Sequence, residues 1–107
     1  MQHAISEQQG AVLLRLSGEI DLSNSPLARK LILAQLDAGK PLAVDLSGVS
    51  YIDSSGIASL VEGYQKARSG NLRFALVAVS EATMKVLQLA RLDQVFPLIA
   101  SMDDFDA

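Results

Sequence analysis

Helix-type and strand-type hydrophobic patterns alternate along this sequence, and this alternation restricts the fold more than any other feature. From residue 25 onward, segments with apolar residues at helical spacing are separated by short, nearly continuous apolar runs. Strands that alternate with helices form a parallel or mixed sheet, because each helix is a right-handed crossover that returns the chain to the next strand. The sequence therefore predicts an α/β fold.

The beginning of the sequence adds a hairpin to this sheet. Val12, Leu14 and Leu16 alternate with other side chains over residues 11–16, as in a strand with one buried face. Residues 8–10, Gln-Gln-Gly, have the composition of a tight turn that joins this strand to a weaker strand before it. We therefore expect a mixed β-sheet with an N-terminal antiparallel hairpin.

Three helices are expected to pack against the sheet, and the C-terminal tail is expected to add a further helical turn. The first helix begins around Pro26 and ends before Gly39, the second covers residues 54–69, and Ser80 caps the third. The strands after the hairpin are expected within residues 41–52, 72–79 and 92–99.

Length and composition indicate one domain in a reducing compartment. The 107 residues are half apolar and one-fifth charged, which suffices for one core, so residues 1–107 are expected to form a single domain. The absence of cysteine agrees with a cytoplasmic protein. The N-terminal residues do not resemble a signal peptide and no apolar run is long enough to span a bilayer, so no direct membrane insertion is expected.

The charge pattern and the missing motifs exclude several functions. A net charge of -3 without a basic patch makes nucleic acid an unsuitable partner. The single histidine, His3, lies at the chain start, and neither a G-x-S-x-G elbow nor a P-loop is present. The acidic residues Asp103, Asp104 and Asp106 are typical of a solvated tail. We therefore predict no enzyme, no catalytic residues, no cofactor and no metal site.

The segment Asp53-Ser54-Ser55-Gly56 is the strongest candidate for a functional site. It is predicted to lie where a buried strand meets the start of a helix, the edge at which α/β proteins bind ligands. Free backbone N–H groups and the helix dipole favour an anion there, including a phosphoryl group on a serine. Ser54 is the predicted phosphoacceptor and Ser55 the competing one. In the alternative interpretation, Asp53 or Ser54 only caps the helix and Gly56 relieves crowding.

Three spaced segments of the sequence match one known family. They are Leu-Ser-Gly-Glu-Ile-Asp at 16–21, Val-Asp-Leu-Ser-Gly-Val at 44–49 and Tyr-Ile-Asp-Ser-Ser-Gly-Ile at 51–57. In these segments and over nearly its whole length, the chain resembles the STAS domain family, and most of all the bacterial anti-sigma factor antagonists.

This resemblance implies a function in transcription regulation by partner switching. In such proteins the serine after the motif aspartate is phosphorylated by a GHKL-type serine kinase that is also the anti-sigma factor, and a PP2C-like phosphatase removes the phosphate. Carried over to this sequence, the phosphorylation site is Ser54. Phosphorylation is expected to release the kinase. The expected surroundings of the site, which also bind the partner, are Asp21, Ser23, Asp53, Ser55 and Gly56.

A second STAS group remains as an alternative. The small subunits of Mla-type phospholipid-trafficking ABC transporters share the motif region, often with threonine at the place of Ser54, and their partner is the transporter ATPase. The sequence departs from the antagonist pattern at residues 89–92, where many relatives have a glycine before the leucine. The serine at position 54 favours the switch.

Two positions on the predicted helices are candidate partner contacts. Gly63 is assigned to the solvent side of the second helix, together with Ser59 and Glu62, where a partner backbone could approach it. Leu33 is assigned to the polar side of the first helix. Both positions are also compatible with chance, since isolated exposed leucines and tolerated glycines are common.

Overall fold

The computed structural model describes residues 1–105, which form five strands and three helices, followed by a short 3-10 turn. In chain order the elements are β1 (Gln2–Gln8), β2 (Ala11–Ile20), α1 (Ser25–Asp37), β3 (Leu42–Ile52), α2 (Ser54–Ser69), β4 (Phe74–Val77), α3 (Glu81–Leu89), β5 (Leu98–Ile99) and the turn Met102–Asp104. The predicted α/β class, the three helices and the final helical turn are thus confirmed.

The strands form one mixed sheet in which spatial order follows chain order, β1-β2-β3-β4-β5. β1 is antiparallel to β2, and each of the other neighbouring pairs is parallel. The hairpin turn between β1 and β2 consists of Gln9 and Gly10, both with positive φ (55° and 78°). Such a turn matches the twist of the strands it joins. The predicted N-terminal antiparallel hairpin is confirmed.

The two faces of the sheet are covered by different parts of the chain. On one face the three helices cover a large apolar core, whose fully buried side chains include Leu14, Leu16, Ile32, Leu42, Leu60, Leu76 and Leu87. On the other face a smaller cluster lies under the C-terminal turn and contains Ala11, Leu13, Ala43, Ala75, Val77, Met102 and Phe105. Both faces of the central strands are therefore buried, which explains their nearly continuous apolar sequence.

Helices α1 and α2 also pack against each other, and here the sequence-based assignment of faces was wrong. Gly63 and Ser59 are buried rather than solvent-facing. A Cβ at Gly63 would lie 2.5 Å from Ile32 Cγ2 of α1. The group that packs closely on Gly63 is therefore the Ile32 side chain of α1 in the same chain. Glu62 forms a bidentate pair with Arg29 across the same helix contact.

Two further differences occur at the ends of elements, and a third lies within α1. Leu89, expected on the buried face of α3, is 87% exposed, because α3 ends at this residue. β4 is shorter than expected, since the Leu72 amide donates to the Ala67 carbonyl of the preceding helix. Leu33, which was assigned from the sequence to the polar side of α1, is half-buried.

Within residues 1–105, no helix is long and apolar enough to cross a membrane. The same residues contain no group of three or more His, Cys, Asp or Glu side chains suited to a metal ion. Of the acidic tail, Asp103 and Asp104 belong to the 3-10 turn, and Asp106 lies outside the described residues.

Candidate functional site

The candidate site lies where β2 and β3 end side by side. Ile20 and Ile52 are paired at the carboxyl ends of these parallel strands, and the Asp53 amide donates to the Ile20 carbonyl over 3.1 Å. The loop that begins with Asp21 is therefore adjacent to the first turn of α2. The parallel arrangement predicted from the sequence brings together Asp21 and Asp53, which are 32 positions apart in the sequence.

Asp53 caps helix α2. Its Oδ1 accepts hydrogen bonds from the backbone N–H groups of Ser55 and Gly56 (2.9 and 3.2 Å) and from the Ser55 hydroxyl (2.6 Å). The Ser55 hydroxyl bond, with the backbone bonds, lowers the pKa of Asp53 below its ordinary value, so the carboxylate is charged at neutral pH. The expectation that these N–H groups are free for an external anion is wrong, because the Asp53 carboxylate already accepts from them.

Asp21 organises the adjacent loop in the same way. Its Oδ1 accepts from the Ser23 hydroxyl (2.5 Å) and backbone N–H (3.0 Å), and these bonds lower the pKa of Asp21. The Asn24 side chain accepts from the Asp21 amide and donates to the Glu19 carbonyl, each over 2.9 Å. The loop is thus tied to the end of β2 through its own side chains.

The structure distinguishes Ser54 and Ser55, the two serines predicted as alternative phosphoacceptors. Ser54, the first residue of α2, is exposed, and its hydroxyl makes no hydrogen bond within residues 1–105. Ser55 is half-buried, and its hydroxyl donates to Asp53. An incoming reagent can therefore reach the Ser54 oxygen without breaking an existing interaction, whereas Ser55 must first leave Asp53.

Gly56 allows the start of α2 to lie close to the ends of the two strands. A Cβ at this position would lie 2.7 Å from Ile52 Cγ1 and 2.8 Å from Ile20 Cγ2, both far below ordinary contact distance. The crowding proposed from the sequence is therefore present. Glycine positions Ser54 by permitting this close approach.

Two features beside Ser54 were not identified from the sequence. Leu22, between Asp21 and Ser23, is 75% exposed. A shallow groove of about 260 Å³ runs between α1 and α2, lined by Ser25, Pro26, Arg29, Ser55, Ala58, Ser59 and Glu62. The only sequence signal for Leu22 is a leucine inside a polar loop, and the groove has none, since it depends on how the two helices pack.

Within residues 1–105, the Ser54 hydroxyl has no hydrogen bond to a group that would activate it as a nucleophile. The Asp53 carboxylate accepts bonds from Ser55 and Gly56 rather than from Ser54. His3 lies on β1, which is separated from β3 by β2. The arrangement thus presents an exposed hydroxyl next in sequence to the ionised carboxylate of Asp53, which interacts electrostatically with Asp21.

Comparison with known proteins gives a consistent result. The STAS domain family model matches residues 2–105. The anti-sigma-F factor antagonist RsfB of Mycobacterium tuberculosis is 28% identical over 102 residues, which cover 94% of this chain and 82% of that protein.

Solved structures agree with this match. An anti-sigma factor antagonist from Mycobacterium paratuberculosis has a TM-score of 0.83 at 31% identity, with 96% of this chain and 88% of that chain covered. The antagonist SpoIIAA, solved in its unphosphorylated form, has a TM-score of 0.80 at 21% identity, with 96% and 91% covered, which shows the shared fold.

Proposed function

Since the chain belongs to the STAS domain family, we propose that it is an anti-sigma factor antagonist whose partner binding is controlled by phosphorylation of Ser54. The antagonist role is supported by relatives of that name, which align over most of their length and most of this chain. The observation that carries the phosphorylation site is the exposed, unbonded hydroxyl of Ser54 beside the engaged hydroxyl of Ser55.

In the proposed mechanism, the unphosphorylated protein binds a GHKL-type serine kinase that is also an anti-sigma factor, and the sigma factor is released. The kinase transfers the γ-phosphoryl group of ATP to Ser54 Oγ; ADP leaves, and the hydroxyl proton passes to a base of the kinase. A PP2C-like phosphatase later hydrolyses the phosphate ester. This chain supplies the acceptor oxygen and the docking surface but no catalytic group or cofactor, and it acts in the cytoplasm.

Phosphorylation would act by charge. The phosphate adds about -1.5 to -2 charges at neutral pH. It lies beside Asp21 and Asp53, whose lowered pKa values keep them ionised. Because Asp53 occupies the N–H groups of Ser55 and Gly56, these donors cannot neutralise the new charge. A partner surface that accepted Ser54, Ser23 and the exposed Leu22 would then face a concentrated negative charge, and the complex would dissociate.

The phosphorylation site can be tested by incubating the protein with its cognate kinase and ATP and mapping the phosphate by mass spectrometry. Phosphate is expected on Ser54. Ser54→Ala should abolish labelling, and the matched Ser55→Ala variant should retain it. Labelling that persists in Ser54→Ala but disappears in Ser55→Ala would assign the site to Ser55 and contradict the proposal.

Affinity capture of the partner tests the antagonist role separately. The unphosphorylated protein should retain a serine kinase with anti-sigma activity. Recovery of an ABC transporter ATPase, with no such kinase, would instead favour the Mla-type transporter subunit.

A further inference from the structure

Strand β1 forms one edge of the sheet, and Glu7 is its only acidic or basic side chain apart from His3. All seven of its residues, Gln2–Gln8, are exposed, and they pair with β2 without a register shift. The strand contains no proline, lysine or glycine. Long, regular edge strands of this kind are templates for an additional strand.

The hairpin determines which backbone groups of β1 point outward. A two-residue turn joins Gln8 to Ala11, so these two residues form the hydrogen-bonded pair that closes it. Because bonded and non-bonded pairs alternate, the even-numbered residues of β1 bond to β2. The N–H and C=O groups of the odd-numbered residues, His3, Ile5 and Glu7, therefore point away from the sheet.

We infer that β1 pairs antiparallel with β1 of a second copy of this chain, across a two-fold axis at Ile5. This register places Ile5 opposite Ile5 of the partner subunit. His3 of each copy then lies opposite Glu7 of the partner subunit. All three positions carry outward-pointing amides, so the interface forms six backbone hydrogen bonds, two for each of three pairs. In a symmetric dimer of this kind, both copies contribute the same surface to the interface.

The side chains favour this register over the neighbouring ones. His3 and Glu7 meet twice, on the face of the sheet that also carries Ile5, whose side chain is 45% exposed. If the two-fold axis passed through Ala4 or Ser6 instead, His3 and Glu7 would no longer lie opposite each other. Complementary pairs directly opposite in a sheet stabilise it.

The intramolecular contact of Glu7 is compatible with this interface. Its Oε1 accepts from Lys40 Nζ at 3.0 Å. Within residues 1–105 the Oε2 atom makes no hydrogen bond and can accept from His3 of the second copy. β2 lies between β1 and the strand that leads to Ser54, so the interface is independent of the proposed function and leaves two Ser54 sites accessible in the dimer.

Sedimentation equilibrium tests the inference. The weight-average mass of the full chain should rise from 11.4 kDa towards twice that value as concentration approaches the millimolar range. In the His3→Glu variant, the new glutamate of each copy lies opposite Glu7 of the partner subunit. These two like-charged pairs should weaken association about tenfold. The double variant His3→Glu/Glu7→Lys replaces the two repulsive pairs with pairs of opposite charge and should restore association. Equal association of His3→Glu and the parent chain would overturn the inference.

A crosslinking experiment tests the register directly. The chain has no cysteine, so single Ile5→Cys and Gln2→Cys variants each carry one thiol. In the inferred dimer the two copies of position 5 are neighbours, whereas the two copies of position 2 lie about 20 Å apart, at opposite ends of the paired strands. A short bismaleimide should crosslink Ile5→Cys and leave Gln2→Cys monomeric. Equal crosslinking of both variants, or none of Ile5→Cys, contradicts the register.

Discussion

At the scale of single residues, the same local structure occurs three times along the chain. Asp21, Asp45 and Asp53 each accept hydrogen bonds, through Oδ1, from the backbone N–H and the hydroxyl of the serine two positions later. In this turn the hydroxyl of the third residue donates to the aspartate, and the side chain of the middle residue takes no part in the hydrogen bonds. At Asp53 the middle residue is itself a serine, which is why Ser54 keeps an available hydroxyl.

Ser54→Asp should separate partner binding from stability. The side chain is exposed and unbonded, and an acidic residue in the first helical turn interacts favourably with the helix dipole. We expect weaker partner binding by calorimetry with an unchanged unfolding midpoint. Ser55→Asp is the contrasting control, since it places a second carboxylate against Asp53 and should lower that midpoint. Partner affinity unaffected by Ser54→Asp would contradict control by charge at this position.

The lowered pKa values of Asp21 and Asp53 predict how stability responds to acid. Hydrogen bonds from Ser23 and Ser55 respectively favour the ionised carboxylates in the folded protein, so their pKa values lie below the ordinary 3.8. As pH falls below about 4, the unfolded chain binds these protons first, and the free energy of unfolding decreases. Urea unfolding at several pH values should show this loss, and Asp53→Asn should show a smaller one. An equal loss in Asp53→Asn would exclude this carboxylate as a contributor.

At the scale of elements, the contact between α1 and α2 depends on Gly63. Alanine at this position would gain up to about 1 kcal/mol of helix propensity. Its Cβ would lie 2.5 Å from Ile32 Cγ2, and such overpacking typically costs about 1–3 kcal/mol. Gly63→Ala should therefore lower the free energy of unfolding by about 1 kcal/mol, measured by urea denaturation.

The control for this prediction is a double-mutant cycle with Ile32→Ala. Removing the Ile32 side chain makes room for the new methyl group, so the double variant should be less destabilised than the sum of the single variants. Strict additivity would mean that Gly63 and Ile32 do not limit the helix contact.

Much of the element order could be predicted because end signals are local. Helix α2 covers the predicted residues 54–69, with Asp53 as its cap and Gly70 at its end. The face towards α1 could not be predicted, because the hydrophobic pattern reports only apolar side chains. The small residues Ser59 and Gly63 are buried there, and Ser59 donates to the Ser25 carbonyl.

The position of the site was predictable, and its bonding was predictable in part. The parallel strand order places Asp21 beside Asp53, and the turn chemistry marks the helix start. The alternative in which Asp53 caps the helix describes the bonding correctly, since Asp53 accepts from the N–H groups of Ser55 and Gly56. The sequence did not distinguish Asp53 from Ser54 as the cap. The backbone at Arg91 shows a related limit. Its φ of 59° lies in the region that favours glycine, a conformation that the arginine in the sequence does not indicate.

At the scale of the whole molecule, the C-terminal turn closes the second apolar cluster. Phe105 is 6% exposed there, and Arg73 lies over its ring at 4.9 Å and donates to its carbonyl. If residues 1–107 form one domain, unfolding in urea should be a single transition by fluorescence and circular dichroism.

Phe105→Ala should lower the free energy of unfolding by about 3 kcal/mol while that single transition is retained. Val95→Ala is the matched control, because Val95 is 45% exposed and its truncation should change stability by at most about 0.5 kcal/mol. Two separate transitions, or equal effects of the two variants, would show that the C-terminal turn is not part of the cooperative unit.

The agreement between spatial and chain order in the sheet also affects how the protein can be made. During synthesis on the ribosome, each strand leaves the exit tunnel next to the strand that it will pair with. No position in the middle of the sheet has to stay open for a segment made later, as it does in folds whose central strand is synthesised last. The sheet can therefore grow in one direction while translation continues, and it is complete once β5 has emerged and paired with β4.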